Sequence, residues 1–356
     1  MGSREGDEVV FSRQGRLGRV RLNRPRAINA LTDGMVLAVH RQLEEWAHDD
    51  RIGAVALDGL GERGLCAGGD IRSLRTALLE GKSEEVLRFW DDEYRLDALL
   101  ADWAKPVVSV MDGIVMGGGL GISAFADLRL ATERSRVAMP ETAIGFFPDV
   151  GARWLLSRAP GELGTHMGLT GTTVTGADAV LCGLADVLVD SGAVGQVLAH
   201  LADGADLEVA AGEAPAHPPA DESARVAPLA AEREWIDECY AGDDPAAIVE
   251  RLRSSPTEAA RTAARTLESR SPMSVAVTLA GLRRAAHQTL EQVLDDDRRL
   301  GRALVRPRED AEPAGADFLE GVRAVLVDRD NAPRWQHASV ADVDPAEVRA
   351  LFDRTI

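Results

Sequence analysis

The sequence predicts an α/β fold with a mostly helical C-terminal region, and three observations carry that reading. Short apolar strands alternate with loops and amphipathic helices over residues 1–200, the rhythm of an α/β architecture whose short strands feed loops. Beyond residue 233 the apolar positions recur with helical period in one segment after another. Glycine clusters fall where strands end, as expected where a chain must turn sharply into a helix.

Taken in order, VVFSRQGRLGRVRLNRP gives two β-rich pieces about a glycine turn, a hairpin. In INALTDGMVLAVHRQLEEWAHDD, Thr32 is placed to cap a helix whose apolar face carries Met35, Leu37, Val39, Leu43 and Trp46. GAVALDG is a short strand that runs into the loop GERGLCAGGDIRSL. A helix over 83–103, the strand PVVSVMDG and a further helix opened by MGGGLGISAFAD make the next cycle. LRLATERSRVAMPE brings one more strand before MPETAIGFFPDVG (139–151). From 201 to 232 the chain turns rich in Ala, Pro, Gly and acids, which reads as a linker or a surface excursion. REWIDECY, DPAAIVERLRSS, PTEAARTAARTLES, SPMSVAVTLAGLRRAAHQT and LEQVLDDDRRLGRALV all show helical periodicity. PREDAEPAGA (307–316) then forms a polar insert. The expected organisation is a core over 1–200, the linker over 201–232 and a helical region over 233–356.

Composition narrows the function. The 356 residues are 45% hydrophobic and 28% charged, the profile of a globular protein. Forty basic against fifty-eight acidic residues give a net charge of −18, which opposes binding to nucleic acid or to anionic membranes. A small anionic ligand needs only a few local arginines and is not opposed. Cys66, Cys182 and Cys239 show no metal-type spacing, and the polar N-terminus has no apolar h-region. No window of about 18 continuous apolar residues suggests a membrane span. The expectation is a cytoplasmic protein.

Three loops at strand ends could carry chemistry: CAGGD with Gly69, MGGGLG with Gly118, and PETAIGFFPD. Glycine loops let backbone N–H groups approach a ligand, and two such loops could aim two amides at one oxygen, as in an oxyanion hole. Taken singly, either loop is explained as well by tight turns and helix–sheet contact. Gly119-Leu-Gly121-Ile-Ser-Ala124 also satisfies G-x-G-x-x-A, but it follows a late strand, so dinucleotide binding is a minor reading. Glu141 and Asp149 bracket an apolar run containing Phe146 and Phe147. As isolated residues they are a helix-start acid and a turn acid. Beside an apolar wall a carboxyl group is pushed toward neutrality, which suits acid–base work. The seven histidines show no ligand spacing and no G-x-S-x-G elbow supports a serine nucleophile, so carboxylates and amides are left to carry any catalysis.

Together these motifs resemble the crotonase (enoyl-CoA hydratase/isomerase) superfamily. NRPRAINAL is similar to its N-terminal CoA-contacting motif, and CAGGDI with MGGG to its pair of oxyanion-hole loops. FWDDEYRLD, AMPETAIGFFPDVG, SPMSVAVTL and DFLEGVRAVLVDRDNAPRW each resemble the 3-hydroxyisobutyryl-CoA hydrolase branch. The resemblance implies a crotonase-like spiral of ββα units followed by helices, with the thioester carbonyl held by the N–H groups of Gly69 and Gly118. It implies Ala67 and Asp70 along the CoA adenine, Arg26 and Arg72 near its phosphates, and Glu93 as a substrate-contacting acid. Hydratases of this superfamily place a glutamate two residues after the glycine triplet; here Gly121 stands there, and the second acid reappears as Asp149. The resemblance thus points to hydrolysis of a short branched β-hydroxyacyl-CoA, 3-hydroxyisobutyryl-CoA from valine breakdown above all. Glu141 would be general base or nucleophile, and Asp149 would hold the β-hydroxyl or the water. No cofactor is implied beyond the CoA of the substrate itself. A trimer-type homo-oligomer is implied, or a C-terminal region folded back on its own core instead. The rivals are a hydratase or isomerase on the same fold and, from another class, a non-catalytic CoA- or nucleotide-binding module.

Overall fold

The computed structural model describes residues 7–212, 226–305 and 316–353. They divide into two compact units that interleave along the chain. One comprises Met1–Gly69, Asp92–Ala138 and Thr173–Ala230; the other comprises Asp70–Asp91, Met139–Thr172 and Ala231–Ile356. The sequence reading drew three consecutive spans, because composition shifts along the chain more visibly than spatial grouping does. Within the span read as a linker, Leu207–Gly212 is helical, with Ala210 buried, and Pro228–Tyr240 begins another helix. Residues 213–225 of that span and 307–315 of the polar insert lie outside the described residues.

The first unit holds every strand of the described residues. β1 (Val9–Gln14), β2 (Leu17–Leu22), β3 (Ala54–Gly59), β4 (Gly64–Cys66), β5 (Val107–Met111) and β6 (Ile114–Met116) come first. β7 (Leu128–Thr132), β8 (Arg136–Ala138), β9 (Val174–Thr175) and β10 (Val187–Val189) follow. They build a six-stranded sheet ordered β1-β2-β3-β5-β7-β10 and a four-stranded sheet ordered β4-β6-β8-β9. Apart from the antiparallel pairs β1–β2 and β8–β9, the strands run parallel. From β3 to β8 the strands come in pairs, the first joining the larger sheet and the second the smaller, with helical structure after each pair. This is the expected ββα cycle. One face of the larger sheet packs Ala56, Val108, Val110 and Leu130 against Val197, Leu198, Leu201 and Ala210.

Local details follow the sequence in part: β4 forms inside a stretch read as a loop and β6 in residues assigned to no strand, and two further corrections follow. The expected hairpin is present in register Val9↔Leu22 to Gln14↔Leu17. Thr32 caps helix Asp33–Ala47 by accepting the Met35 N–H at 3.2 Å. On that helix Val36 is buried and Leu37 is 47% exposed, because two residues on from Met35 is more than half a turn around the axis. The stretch LRLATERSRVAMPE holds two strands, β7 and β8, where one was expected. Between them the Thr132 N–H donates to Ser135 Oγ (2.7 Å) and the Ser135 N–H to Thr132 O (3.1 Å), a turn that passes the chain from one sheet to the other.

The second unit is helical, as the last third of the sequence predicts. Helix Leu163–Thr170 is buried along its whole length. No helix among the described residues is long and apolar enough to cross a membrane.

His166 on that helix has Nδ1 2.9 Å from Tyr240 Oη, and burial lowers its pKa to about 4. The unfolded chain therefore takes up a proton below its ordinary pKa of 6.5 that the folded chain refuses until pH 4 is approached. Stability should fall as pH drops through this window. A His166→Gln variant removes that contribution. In urea titrations the stability of the native sequence relative to His166→Gln should drop by about 3 kcal/mol from pH 7 to pH 4. A difference independent of pH would refute a buried neutral histidine.

Candidate active site

The first unit supplies a cradle made of backbone. Gly118 is the first residue of helix Gly118–Ala124, and Gly117 before it has φ 51°. A Cβ built on Gly119 would lie 2.5 Å from the Cys66 carbonyl oxygen, and one on Gly68 would lie 3.2 Å from that of Met116. The CAGGD and MGGGLG loops thus pack main chain on main chain, an approach that side chains would prevent. NRPRAINAL fixes the CAGGD loop from its other side. The Ala67 N–H donates to Ile28 O at 2.9 Å, and the Leu31 N–H to Gly68 O at 2.8 Å. Leu31 and Gly69 also form a parallel bridge.

Two polar residues complete this cradle. Asn29, buried and at positive φ (54°), donates from Nδ2 to the carbonyls of Leu60, Gly64 and Leu65 at 3.1 Å each and accepts the Arg24 N–H. Asparagine tolerates the left-handed region better than most residues, so one side chain both permits the turn and ties it down. Glu93, only 2% exposed on helix Ser83–Ala101, reaches the glycines: a Cβ on Gly118 would fall 2.0 Å from its Oε1. Asp97, one turn on, is buried as well. The Cys66 thiol in the same place is pushed up to about 12, first by burial and further by the Glu93 carboxylate, against a hydrogen bond from Gly68. It stays protonated at neutral pH and offers no thiolate.

The second unit carries the two acids on consecutive turns. Glu141 opens the 3-10 turn Glu141–Ile144 and is 7% exposed; Asp149 is 5% exposed. Between them lies the expected dry wall. Phe146 stacks on Trp90 with ring centroids 4.8 Å apart, and Phe147 and Phe318 lie against it at 4.4 and 5.6 Å. The C-terminal helices hold both turns. The Ser271 N–H donates to Thr142 O (3.1 Å), and Ser271 Oγ donates to Asp317 Oδ2 (2.6 Å). Gly145 sits so close to Asp317 that a Cβ would meet its carbonyl at 2.2 Å. After Asp149 the chain passes through Val150 and Gly151, both at positive φ (52° and 72°). For a β-branched residue that conformation costs about 1–3 kcal/mol and persists only when its surroundings enforce it. Here Asp297 accepts the Gly151 N–H on Oδ2 at 2.8 Å and pairs through Oδ1 with Arg153. Both side chains are buried; burial pushes the Asp297 carboxyl up, while the Arg153 guanidinium and the Gly151 N–H pull it down.

Of the residues singled out in the sequence, Gly69, Gly118 and Glu93 belong to the first unit, with Arg26 and Ala67 exposed on its loops. Glu141 and Asp149 belong to the second, as do Asp70 and Arg72. Asp70 caps helix Ile71–Leu79 by accepting the Ser73 N–H, and Arg72 donates to Leu326 O at 2.6 Å, so both also serve the fold. Asn29, Asp97, Ser271, Asp317 and the Arg153–Asp297 pair escaped the sequence reading as site-building residues. The one local signal for Asp297 was an acid run, DDD, on a helix that packs its neighbours inward.

The sequence profile of the enoyl-CoA hydratase/isomerase family matches residues 17–352. This chain therefore belongs to that family, and its paired strands and helical C-terminal region are the crotonase fold. It is 35% identical to the mitochondrial 3-hydroxyisobutyryl-CoA hydrolase of Danio rerio over 99% of this chain and 91% of that protein. The crystal structure of a carnitinyl-CoA dehydratase from Mycobacterium thermoresistibile is 42% identical, with a TM-score of 0.89, covering 98% of this chain and 97% of that one. An enoyl-CoA hydratase from Rhodobacter sphaeroides is 36% identical with a TM-score of 0.87 over the same shares. The zebrafish relative's name places it in mitochondria, so the expected cytoplasmic location gains no support from it.

The contact of Glu93 with Gly118 is testable. Gly118→Ala forces a methyl group into a carboxylate that is too buried to swing into water. It should destabilise the protein by about 1–3 kcal/mol in thermal or urea unfolding. Adding Glu93→Ala should recover part of that loss; strictly additive effects would show that the two residues do not meet.

Proposed function

We propose that this chain hydrolyses the thioester of a short branched β-hydroxyacyl-CoA, with 3-hydroxyisobutyryl-CoA of valine catabolism as its substrate. One observation carries the reading: two buried carboxylates, Glu141 and Asp149, sit on consecutive turns, while Gly121 occupies the place where hydratases of the family put a glutamate. The name of the zebrafish relative supports the same chemistry.

In this mechanism the Gly69 and Gly118 N–H groups receive the oxyanion of the tetrahedral intermediate, each worth about 3 kcal/mol in the transition state. Glu93 contacts the acyl group. Glu141 takes a proton from water as the water oxygen attacks the thioester carbon. The C–S bond then breaks, and the proton passes to the departing CoA thiolate. The rival route has Glu141 attack the carbonyl itself and form an anhydride that water opens. Asp149 binds the β-hydroxyl or orients the water. Arg26 and Arg72 serve the CoA phosphates, with Ala67 and Asp70 beside the adenine. CoA enters as part of the substrate, and no further cofactor takes part. The net charge of −18 supports a small-molecule role with neither nucleic acid nor membrane as partner. Cys66, Cys182 and Cys239 form no disulfide, which supports a reducing compartment, the cytoplasm among them. Trimer-type self-association is proposed from the family resemblance; sedimentation would measure it.

A second reading, hydration or dehydration of an acyl-CoA, draws support from the descriptions of the two solved neighbours. A thiol-release assay over a panel of acyl-CoAs separates the readings. Hydrolysis predicts free thiol with 3-hydroxyisobutyryl-CoA and no loss of enoyl absorbance with crotonyl-CoA; the reverse result establishes the hydratase. Tight CoA binding without turnover of any substrate would leave a binding module. Glu141→Gln should lower kcat by about 10²–10⁴-fold, and Asp149→Asn should cost either rate or the preference for a β-hydroxyl. Hydrolysis at the native rate in Glu141→Gln refutes the assignment of that residue.

A further inference from the structure

Asp149 is followed at once by two left-handed residues, and one of them is a valine. Few backbone bonds are available to enforce that geometry. The Ala152 N–H returns to Asp149 O at 2.8 Å and the Trp154 N–H to Gly151 O at 2.9 Å, and helix Ala152–Leu156 then begins. The Gly151 N–H of the turn is taken by a side chain that lies 146 residues away in sequence, Asp297 on helix Leu290–Val305. Its other carboxylate oxygen meets the guanidinium of Arg153, two residues further along the same turn. Arg153 is itself confined: it lies 5.2 Å over the Phe147 ring, and a Cβ on Gly281 would touch its Nη1 at 2.1 Å. A single carboxylate thus grips the turn by its backbone and by a side chain, on the chain segment that carries Phe147 and Asp149.

Stability alone does not account for this arrangement. A buried ion pair is commonly replaced by well-packed apolar residues at no net loss. Hydrocarbon, however, cannot accept the Gly151 N–H, and it cannot select one conformation of a strained turn. Burying charge there exchanges solvation for a fixed backbone.

We propose that Asp297 is a positioning residue for Asp149: by binding the Gly151 amide and Arg153 it locks the Val150–Gly151 turn and so fixes the direction in which the Asp149 carboxylate points. This rests on the reading that Asp149 acts in the reaction. The dependence runs one way, from the fully buried Asp297 through the turn to Asp149.

Two variants and one background test it. Asp297→Asn keeps an oxygen for the Gly151 N–H but loses the charge opposite Arg153. The double change Arg153→Met/Asp297→Leu removes both charges, so folding is preserved by packing while the amide loses its acceptor. In the double variant, kcat for thioester hydrolysis should fall about ten- to a hundred-fold with KM within about twofold, since misplacing a reacting group by about 1 Å has this scale of effect. Asp297→Asn should retain more of the rate than the double variant. Hydrogen–deuterium exchange should quicken in the double variant in peptides covering 147–156 and stay at the native rate in peptides of the rest of the chain. In an Asp149→Asn background the double change should cost no further rate. Native exchange at the turn, or a rate loss that simply adds to that of Asp149→Asn, overturns the proposal. If the turn loosens while neither the double variant nor Asp149→Asn alters hydrolysis, the anchoring stands and the catalytic reading of Asp149 is what fails.

Discussion

The close approach of two main chains, CAGGD against MGGGLG, is the constraint on which the first unit depends. At Gly119 a single added carbon would stand 2.5 Å from the Cys66 carbonyl oxygen. Glycine at 68, 117, 118 and 119 lets the two main chains approach closely, and the parallel order of β4 and β6 keeps the two loops at the same end of the sheet. The NRPRAINAL segment then closes over them through Ala67, Leu31 and the buried amide of Asn29. None of these bonds is strong alone, each worth about 1 kcal/mol net, but they hold one backbone path among many.

The second unit solves the opposite problem. Its acids must stand on short turns that possess little hydrogen bonding of their own, so polar side chains from later helices are buried to hold them. Ser271 and Asp317 support the Glu141 turn, and Asp297 with Arg153 supports the turn after Asp149. Aromatic rings fill the space between, which keeps that wall free of water without adding polar groups that need partners. Precision comes from absent side chains in the first unit and from buried ones in the second.

The same contrast explains what the sequence disclosed. Glycines, a Thr cap and alternating strands record local backbone needs, and local needs are written in consecutive letters. The loops around Gly69 and Gly118 and the first strand of each pair, β3 and β5, were therefore legible, as was the apolar setting of Glu141 and Asp149; the three-residue strands β4 and β6 were not, being too short to show alternation. The face of helix Asp33–Ala47 was legible except at Leu37, where an apolar residue stands on the exposed side. The turn that splits β7 from β8 was missed because a run of strand-formers hides the Thr132–Ser135 bond. Asp297 could not be read at all: its partners lie 144 and 146 residues away, and an acid inside DDDRR has the appearance of a solvated helix face. Spatial grouping was hidden for the same reason, since each compact unit is assembled from three separated stretches.

That interleaving has a consequence for how the chain is made. The ribosome delivers residues in order, yet the first unit lacks a third of its pieces until Ala230 has emerged, and the second waits for the helices that follow. Helix Ser83–Ala101 is divided by the boundary at Asp91, so neither unit can be cut out as a continuous fragment. The nascent chain must therefore expose β7 and β8 while their neighbours β10 and β9 are still unsynthesised, at the stage where unpaired edges are most prone to aggregate. Assembly is bound to be late and collective, with long loops closed before the parallel pairings return any stability. A truncation before the last helices leaves Ser271, Asp297 and Asp317 behind, and with them the supports of both acidic turns.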